Sequence, residues 1–188
     1  MLVSNIKTRF LKYFCKYCDH PFLGKTVTKI LAAVLPPFNA RAKLLNRLGS
    51  KVFISPSADI YHSKLIMGKK TFIDDNVTIF ENFDGGPISI GKNSKIFRYT
   101  IMQTGQEGRI EIADETVVHP RCQFFAHIGP IIIEKNVLIA PNCSFFSYNH
   151  EFKINHNIKD QPLTSKGGIH IHEDVWLGVG VTILDGVV

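Results

Sequence analysis

Residues 133–145 read IEKNVLIAPNCSF, in which Ile133, Ile139 and Phe145 stand six residues apart. The same spacing recurs on both sides of this stretch, through the last two-thirds of the chain. The other triplets of large apolar residues are Met67, Ile73 and Ile79; Ile90, Ile96 and Met102; Ile112, Val118 and Phe124; and Ile171, Leu177 and Ile183. Ile54 and Ile60 share the spacing and indicate an irregular opening coil.

A period of six fits neither of the two common secondary structures. An amphipathic helix needs apolar residues at intervals of three and four, and a lone strand needs alternation. A hexapeptide period is instead typical of a solenoid whose short parallel strands stack coil on coil around one core. The triplets begin 23, 22, 21 and 38 residues apart, so a unit of 18 residues carries insertions of 5, 4, 3 and 20. The sequence therefore predicts an all-β solenoid, a parallel β-helix of about 18-residue coils, over residues 51–188.

Small or branched residues form a second column, two positions ahead of most triplet members. They are Thr71, Val77, Ser94, Thr100, Thr116, Cys122, Val137, Cys143, Val175 and Val181. We expect both columns to be core packing, so function must lie where the columns are interrupted. Cys122 and Cys143 are 21 residues apart, equal to the repeat of that coil. They should therefore stack about 4.8 Å apart as small buried thiols rather than form a disulfide.

The net charge of +6 is divided unequally along the chain. Residues 1–51 hold ten Lys or Arg against one acidic residue, Asp19, for a net charge of +9, and the remainder has a net charge of −3. Apolar residues at helical spacing lie beside these lysines, first from Ile6 to Tyr17 and then from Val27 to Val34. We therefore predict that residues 1–50 form a basic, amphipathic helical leader.

The sequence leaves two roles open for this leader. Its helices can pack on the first coil as a cap, or they can lie on an anionic membrane surface. A nucleic-acid role is disfavoured because no recognised nucleic-acid module accompanies the charge. No apolar run approaches the roughly 18 residues needed to span a bilayer. With four cysteines and no signal-like start, the expected location is the cytoplasm, at the inner face of the membrane if the leader docks there.

Cys15, Cys18 and His20 form a pattern in the leader that resembles part of a zinc site. One cysteine pair and one histidine supply three ligands at most, and no second pair follows, so the signal is weak. Two small residues one helical turn apart is the preferred interpretation. We expect the protein to hold no metal.

The 20-residue insertion between the fourth and fifth triplets, at about residues 147–168, is the expected place for function. Binding and catalytic residues commonly lie on loops that a rigid scaffold positions. His150 stands where the fourth coil ends, so its backbone should be anchored while its ring can face a cleft. A neutral imidazole there could remove a proton from an alcohol. Gly167 and Gly168 fit a hinge-like return into the next coil.

Residues 137–142 (VLIAPN), His150 and residues 175–183 (VWLGVGVTI) together resemble the hexapeptide-repeat acyltransferases. The pattern is most similar to the galactoside and maltose O-acetyltransferases and to the enzymes that acetylate bacterial polysaccharides. The likeness covers about residues 51–188. It implies a left-handed β-helix, although parallel crossovers in general favour the right hand. It also implies a homotrimer with active sites between subunits, and acetyl-CoA as cosubstrate.

The same resemblance implies roles for individual residues. His150 would be the general base for an acceptor hydroxyl that attacks the thioester directly, without an acyl-enzyme. The backbone N–H of Val179 would stabilise the oxyanion. Trp176 would wall the junction of acceptor and pantetheine, lie buried at a trimer contact, or do both. Gly178 and Gly180 belong to the same cofactor-binding stretch.

The acceptor side departs from the galactoside enzymes. Where those enzymes hold an Asn and an Asp that grip the sugar, an approximate alignment places His119 and His127. Asn142 is either a turn residue or an acceptor contact, and we favour the turn. The acceptor is expected to be a saccharide, in a surface polysaccharide or a small sugar, and its identity stays open, as does N-acetylation of an amino sugar.

A second departure is that the sequence ends at Val188 in mid-repeat. Members of the family continue for further coils that line the CoA channel. We therefore expect the natural protein to be longer and this chain to bind CoA poorly. Its last strand edges would be bare, which invites edge pairing.

Two other functions compete with acyl transfer. A non-catalytic trimeric scaffold would use the solenoid alone. A γ-type carbonic anhydrase would need His119, His127 and His150 to converge on zinc, and their spacing does not resemble that family's ligand pattern. The sequence therefore favours an acetyl-CoA-dependent O-acetyltransferase.

Overall fold

The computed structural model describes the β-helical part of the chain and four residues of the leader. The described residues are Leu23, Thr26, Val27, Ile30, 52–55 and 57–188. Within the leader, Thr26, Val27 and Ile30 are helical, and the Val27 N–H donates to the Leu23 carbonyl at 3.0 Å. The first predicted helix, the capping and membrane roles and the cysteine pattern of the leader lie outside the described residues.

The described residues form three parallel sheets, which are the faces of a left-handed β-helix, and one antiparallel pair. The first sheet contains β1 (Phe53–Ile54), β4 (Phe72–Ile73), β7 (Lys95–Ile96), β10 (Val117–Val118), β13 (Leu138–Ile139) and β18 (Trp176–Leu177). The second contains β2 (Asp59–Tyr61), β5 (Thr78–Glu81), β8 (Ile101–Gly105), β11 (Gln123–His127), β14 (Ser144–Phe146) and β19 (Thr182–Leu184). The third contains β3 (Leu65–Met67), β6 (Ile88–Ile90), β9 (Ile110–Ile112), β12 (Ile131–Ile133) and β17 (Ile169–Ile171). The predicted fold class is confirmed.

The apolar columns stack in the predicted register. Ile133, for example, pairs with Ile112 on one side and with Ile171 on the other. The step from the third sheet to the first, and from the first to the second, is six residues in every coil after the opening one. All insertions therefore fall between the second and third sheets. Among the described residues, every coil is longer than the basic unit of 18 residues. We call this edge the insertion corner; it comprises residues 62–64, 82–87, 106–109, 128–130 and 147–168.

A left-handed backbone conformation recurs at the other two corners. Between the first and second sheets it falls on Asn76, Tyr99, Arg121, Asn142 and Gly180, with φ from 55° to 72°. Between the third and first sheets it falls on Lys70, Asn93, Glu115, Asn136 and Asp174. Asn and Asp tolerate this conformation best among residues with a Cβ, which explains their frequency here. Asn142 is thus a turn residue, and we call the first of these edges the Asn142 corner.

The core is the stack of triplets. Members from Ile73 to Ile171 are almost wholly buried, whereas Met67, Leu177 and Ile183 are partly buried in the outer coils. Phe124 and Phe145 stack with ring centroids 4.5 Å apart. Burial of large apolar side chains contributes about 1.5–3 kcal/mol each, so this column is a main source of the stability of the scaffold.

The second column is small because several of its side chains join successive coils. Thr71 Oγ1 donates to the Gly91 carbonyl at 3.0 Å, and Ser94 Oγ donates to the Ala113 carbonyl at 2.9 Å. A larger side chain would separate the backbones that these hydrogen bonds connect. The column therefore satisfies its buried hydroxyls within the solenoid.

Cys122 and Cys143 are buried free thiols. Cys122 Sγ lies 3.3 Å from the Ala140 carbonyl oxygen, and Cys143 Sγ lies 3.1 Å from the Gly178 carbonyl oxygen. Burial raises the pKa of Cys122 to about 12. The prediction that the two cysteines stack as buried thiols without a disulfide is confirmed.

Candidate active site

The long insertion starts and ends as a small antiparallel ribbon. Its strands are β15 (Asn149–His150) and β16 (Leu163–Thr164), and a 3₁₀ turn covers Ile158–Asp160 between them. His150 lies opposite Leu163, and the Glu151 N–H extends the ribbon by donating to the Pro162 carbonyl at 3.1 Å. His150 is exposed. Its backbone is therefore fixed by hydrogen bonds while its side chain is accessible.

Asp185 joins both ends of the insertion to the last coil. On the outgoing side, Asn149 Nδ2 donates to Asp185 Oδ2 at 3.1 Å. On the returning side, Ser165 Oγ and the Gly168 N–H donate to Oδ1 at 2.8 and 2.9 Å. The Lys166 N–H donates to Oδ2 at 2.6 Å. Burial opposes ionisation of Asp185, but these hydrogen bonds outweigh burial and lower the pKa of the carboxyl.

A row of rings leads from the scaffold towards His150. His127, at the end of β11, lies against Tyr148 with ring centroids 4.9 Å apart, and Tyr148 lies 6.3 Å from the His150 ring. Burial lowers the pKa of His127, which favours its neutral form. A Cβ added at Gly105 would lie 2.5 Å from His127 Cε1, so this glycine makes room for the ring.

An open cleft of about 870 Å³ lies against His150. Its volume is in the range of small-molecule sites. Phe152 and Ile154 offer apolar surface there and are 83% and 86% exposed. Its other lining residues are Asn149, Glu151, Lys153, Thr164 and Lys166. The cleft thus combines an imidazole with both apolar and charged groups.

Trp176 and Val179 lie away from His150 within one chain. Trp176 pairs with Leu138 in the first sheet and is 72% exposed, and Val179 is 71% exposed at the Asn142 corner. Neither residue lines the cleft at His150. Val179 precedes β19 and Asp185 follows it, so the two halves of the predicted site lie at opposite ends of that strand.

Gly178 and Gly180 border the turn at Val179. A Cβ added at either glycine would meet no atom of the described chain within 4 Å. The Gly180 N–H donates to the Pro141 carbonyl at 3.0 Å, which fixes the turn to the coil beneath it. The space beside both glycines is therefore not occupied by any described residue.

The two histidines predicted for the acceptor side are not brought together. His119 precedes β11 and packs against Phe97, with ring centroids 5.6 Å apart. Burial lowers the pKa of His119. His127 ends the same strand, so the two rings belong to different corners. Within one chain, the convergence of His119, His127 and His150 that zinc would require is not present.

Sequence reasoning missed three features of the described structure. Asp185 and Tyr148 were not singled out, because neither interrupts a column in a recognisable way. A third feature is the group Glu134, His170 and His172, whose donor atoms lie within 4.8 Å of one another. The signal for that group was available in the alternating His-Ile-His of residues 170–172. The group could hold a metal ion, which the sequence did not lead us to expect.

Comparison with known proteins adds no further assignment. The sequence matches no protein-family model, and no curated protein matches it at a significant level. Among the described residues, no helix has the length and apolar character needed to cross a membrane.

Proposed function

We propose that this protein is a CoA-dependent O-acetyltransferase that transfers an acetyl group to a hydroxyl of a saccharide. The observation that carries the proposal is the placement of His150. It is an exposed imidazole against a cleft, on a ribbon that Asp185 holds to a rigid scaffold. The likeness of residues 137–142 and 175–183 to the hexapeptide-repeat acyltransferases supports the same assignment.

In the proposed reaction, neutral His150 takes the proton of an acceptor hydroxyl while the hydroxyl oxygen attacks the thioester carbonyl of acetyl-CoA. The tetrahedral intermediate then collapses as the C–S bond breaks. The proton passes from the imidazolium to the departing CoA thiolate, and the acceptor leaves as an acetyl ester. A positioned general base contributes about 10²- to 10⁴-fold in rate.

The oxyanion of that intermediate would be stabilised by the backbone N–H of Val179. Because Trp176 lies on the first sheet and Val179 at the Asn142 corner, whereas His150 lies at the insertion corner, the proposal requires that two protomers share each site. The high exposure of Trp176 and Val179 supports this arrangement, since both surfaces are open to a neighbouring subunit. We accordingly propose a homotrimer whose clefts hold CoA between adjacent chains, against Trp176, Gly178 and Gly180.

The acceptor would bind beside the row of rings. Tyr148 offers an aromatic face next to His150, and neutral His127 can donate or accept a hydrogen bond to a sugar hydroxyl. His119 and Asn142 lie between the first and second sheets, at the Asn142 corner. They can contact the acceptor of this proposal only across the boundary between subunits.

The decisive experiment compares His150→Ala with a matched control, His156→Ala. Both histidines are exposed and lie in the same insertion, but His156 does not line the cleft. Release of free CoA thiol would be followed at acetyl-CoA concentrations up to millimolar with a panel of mono- and oligosaccharides. Mass spectrometry would identify the acetylated product. We expect His150→Ala to lower turnover by about 10²- to 10⁴-fold and His156→Ala to leave it unchanged.

Two outcomes would contradict the proposal. Acceptor-dependent thiol release that is equal in wild type and His150→Ala would remove the assigned base. Complete absence of release with every acceptor, from a well-folded trimer, would favour the non-catalytic scaffold instead. Circular dichroism and sedimentation of each variant would show that the fold and the assembly are intact.

A further inference from the structure

The fifth coil carries two histidines on one face of a strand, outside the site described above. His170 lies within β17 and His172 directly follows it, so strand alternation places both on the outer surface. Glu134 directly follows the paired strand β12, one position beyond the Ile133–Ile171 pair. We propose that Glu134, His170 and His172 form a binding site for a divalent transition metal, with Zn²⁺ as the preferred ion.

The donor atoms already converge. Glu134 Oε1 lies 2.8 Å from His170 Nε2 and 3.5 Å from His172 Nδ1. Zn²⁺ holds nitrogen and oxygen ligands at about 2.0–2.1 Å in a tetrahedron, which sets neighbouring donors about 3.3 Å apart. Small rotations of the side chains therefore bring all three donors to bonding distance. Water would take the fourth position of the tetrahedron.

The surroundings of Glu134 prepare it as a ligand. The Glu173 N–H donates to Oε2 at 2.9 Å, which orients the carboxylate and leaves Oε1 directed at the two imidazoles. In protein metal sites, the ligand side chains are typically oriented by hydrogen bonds to groups that do not bind the metal themselves.

The donor set selects the class of ion. Two imidazole nitrogens and one carboxylate oxygen suit Zn²⁺, and Co²⁺, Ni²⁺ or Cu²⁺ as substitutes. Mg²⁺ and Ca²⁺ prefer sites made wholly of oxygen. The proposal therefore predicts discrimination against the two hard ions.

A metal at this position would join the coils on either side of the long insertion. Glu134 belongs to the fourth coil, and His170 and His172 belong to the fifth, after the chain has left and re-joined the scaffold. Binding would fix the returning strand β17 against β12. Because a ligand that binds only the folded state stabilises it, Zn²⁺ should raise the unfolding temperature.

The test uses the full chain, stripped with a chelator and titrated with Zn²⁺ by calorimetry. Co²⁺ serves as a second probe, because its visible absorption reports nitrogen and oxygen ligation. We expect one ion per chain, and binding that weakens as the pH falls because protons compete for the imidazoles. His170→Ala, His172→Ala and Glu134→Gln should each lower affinity by at least about 100-fold. Mg²⁺ should not compete.

Two matched controls separate this site from other histidines. His156→Ala removes an exposed imidazole of the insertion and should leave Zn²⁺ affinity and the thermal shift unchanged. His150→Ala should also retain binding, so failure here is distinguishable from failure of the proposed acetyl transfer. Wild-type affinity in His170→Ala and His172→Ala, or the lack of any Zn²⁺ binding by the folded wild type, would overturn the proposal. The group would then be a hydrogen-bonded His–Glu network only.

Discussion

Asn149 and Asp185, 36 residues apart in the sequence, are joined by a hydrogen bond of 3.1 Å between Nδ2 and Oδ2. Asn149 directly precedes the candidate base, and Asp185 directly follows the last strand of the second sheet. The same carboxylate accepts the N–H groups of Lys166 and Gly168, so it holds the outgoing and returning ends of the insertion at one point. The position of His150 therefore depends on a residue that does not itself line the cleft.

Asp185→Asn should destabilise the insertion and lower turnover of the proposed reaction. The amide keeps the shape of the side chain, but its NH₂ group cannot accept hydrogen bonds from backbone N–H groups. Hydrogen bonds to charged groups contribute about 1.5–3 kcal/mol each. We expect the free energy of unfolding in urea to fall by about 2 kcal/mol. Trypsin should also cleave faster at Lys153 and Lys159.

The control for this variant is Asp160→Asn. Asp160 is exposed in the same insertion, and its carboxylate accepts from Asn157 Nδ2 at 3.0 Å. Surface substitutions of this kind usually change the free energy of unfolding by no more than about 0.5 kcal/mol. Equal destabilisation by the two variants would contradict the assigned role of Asp185.

The contribution of Asp185 to the free energy of unfolding should also disappear in acid. Although burial acts the other way, its hydrogen bonds place the folded-state pKa below the ordinary value of 3.8. A depressed pKa gives stability that is complete above the ordinary value and is lost as the pH falls through the folded value. The difference in unfolding free energy between wild type and Asp185→Asn should be constant from about pH 5 to 7 and should shrink below about pH 3. A difference that grows in acid would contradict this assignment.

The fold was predictable because one physical requirement repeats. A residue such as Ile139 must meet Val118 and Leu177 in the neighbouring coils, so its spacing is visible without an alignment. The lengths of the insertions could also be predicted from the spacing of the triplets. The spacing could not show that residues as unlike as Tyr99 and Arg121 adopt the left-handed conformation at the Asn142 corner, because neither residue type favours that conformation.

The site was less predictable than the scaffold. His150 could be found because it interrupts a column. His119 and His127 were grouped by an alignment through unequal turns, and the intervening strand β11 in fact carries them to different corners. Asp185 gave no signal, because three of its four hydrogen bonds involve the returning segment, whose path is set by folding rather than by periodicity.

Gly168→Ala should be far more destabilising than Gly167→Ala. Both glycines have positive φ, 90° and 119° respectively, so an alanine at either position is strained. A Cβ at Gly168 would lie 2.2 Å from the Pro130 carbonyl oxygen, whereas at Gly167 it would meet no described atom within 4 Å. We expect urea unfolding to show a loss of about 1–2 kcal/mol for Gly167→Ala. The loss for Gly168→Ala should reach at least about 3 kcal/mol. Equal losses would show that the return path shifts to accommodate the side chain.

Val179→Pro should remove the proposed oxyanion donor with little effect on the fold. Pro120 and Pro141 occupy the equivalent position in the two preceding coils, each directly before the left-handed residue of the Asn142 corner. The scaffold therefore accepts a proline at this point of the turn, where proline is in general favoured. The substitution removes one backbone N–H and changes little else.

Val179→Ala is the matched control, because it shortens the side chain and retains the N–H. Loss of one oxyanion donor typically lowers kcat by about 10²- to 10³-fold. We expect this loss in Val179→Pro, with an unfolding midpoint close to that of wild type, and near wild-type turnover in Val179→Ala. Wild-type turnover in both variants would show that the Val179 N–H does not contact the reacting carbonyl. A similar fall in both would instead assign Val179 a packing contact through its side chain.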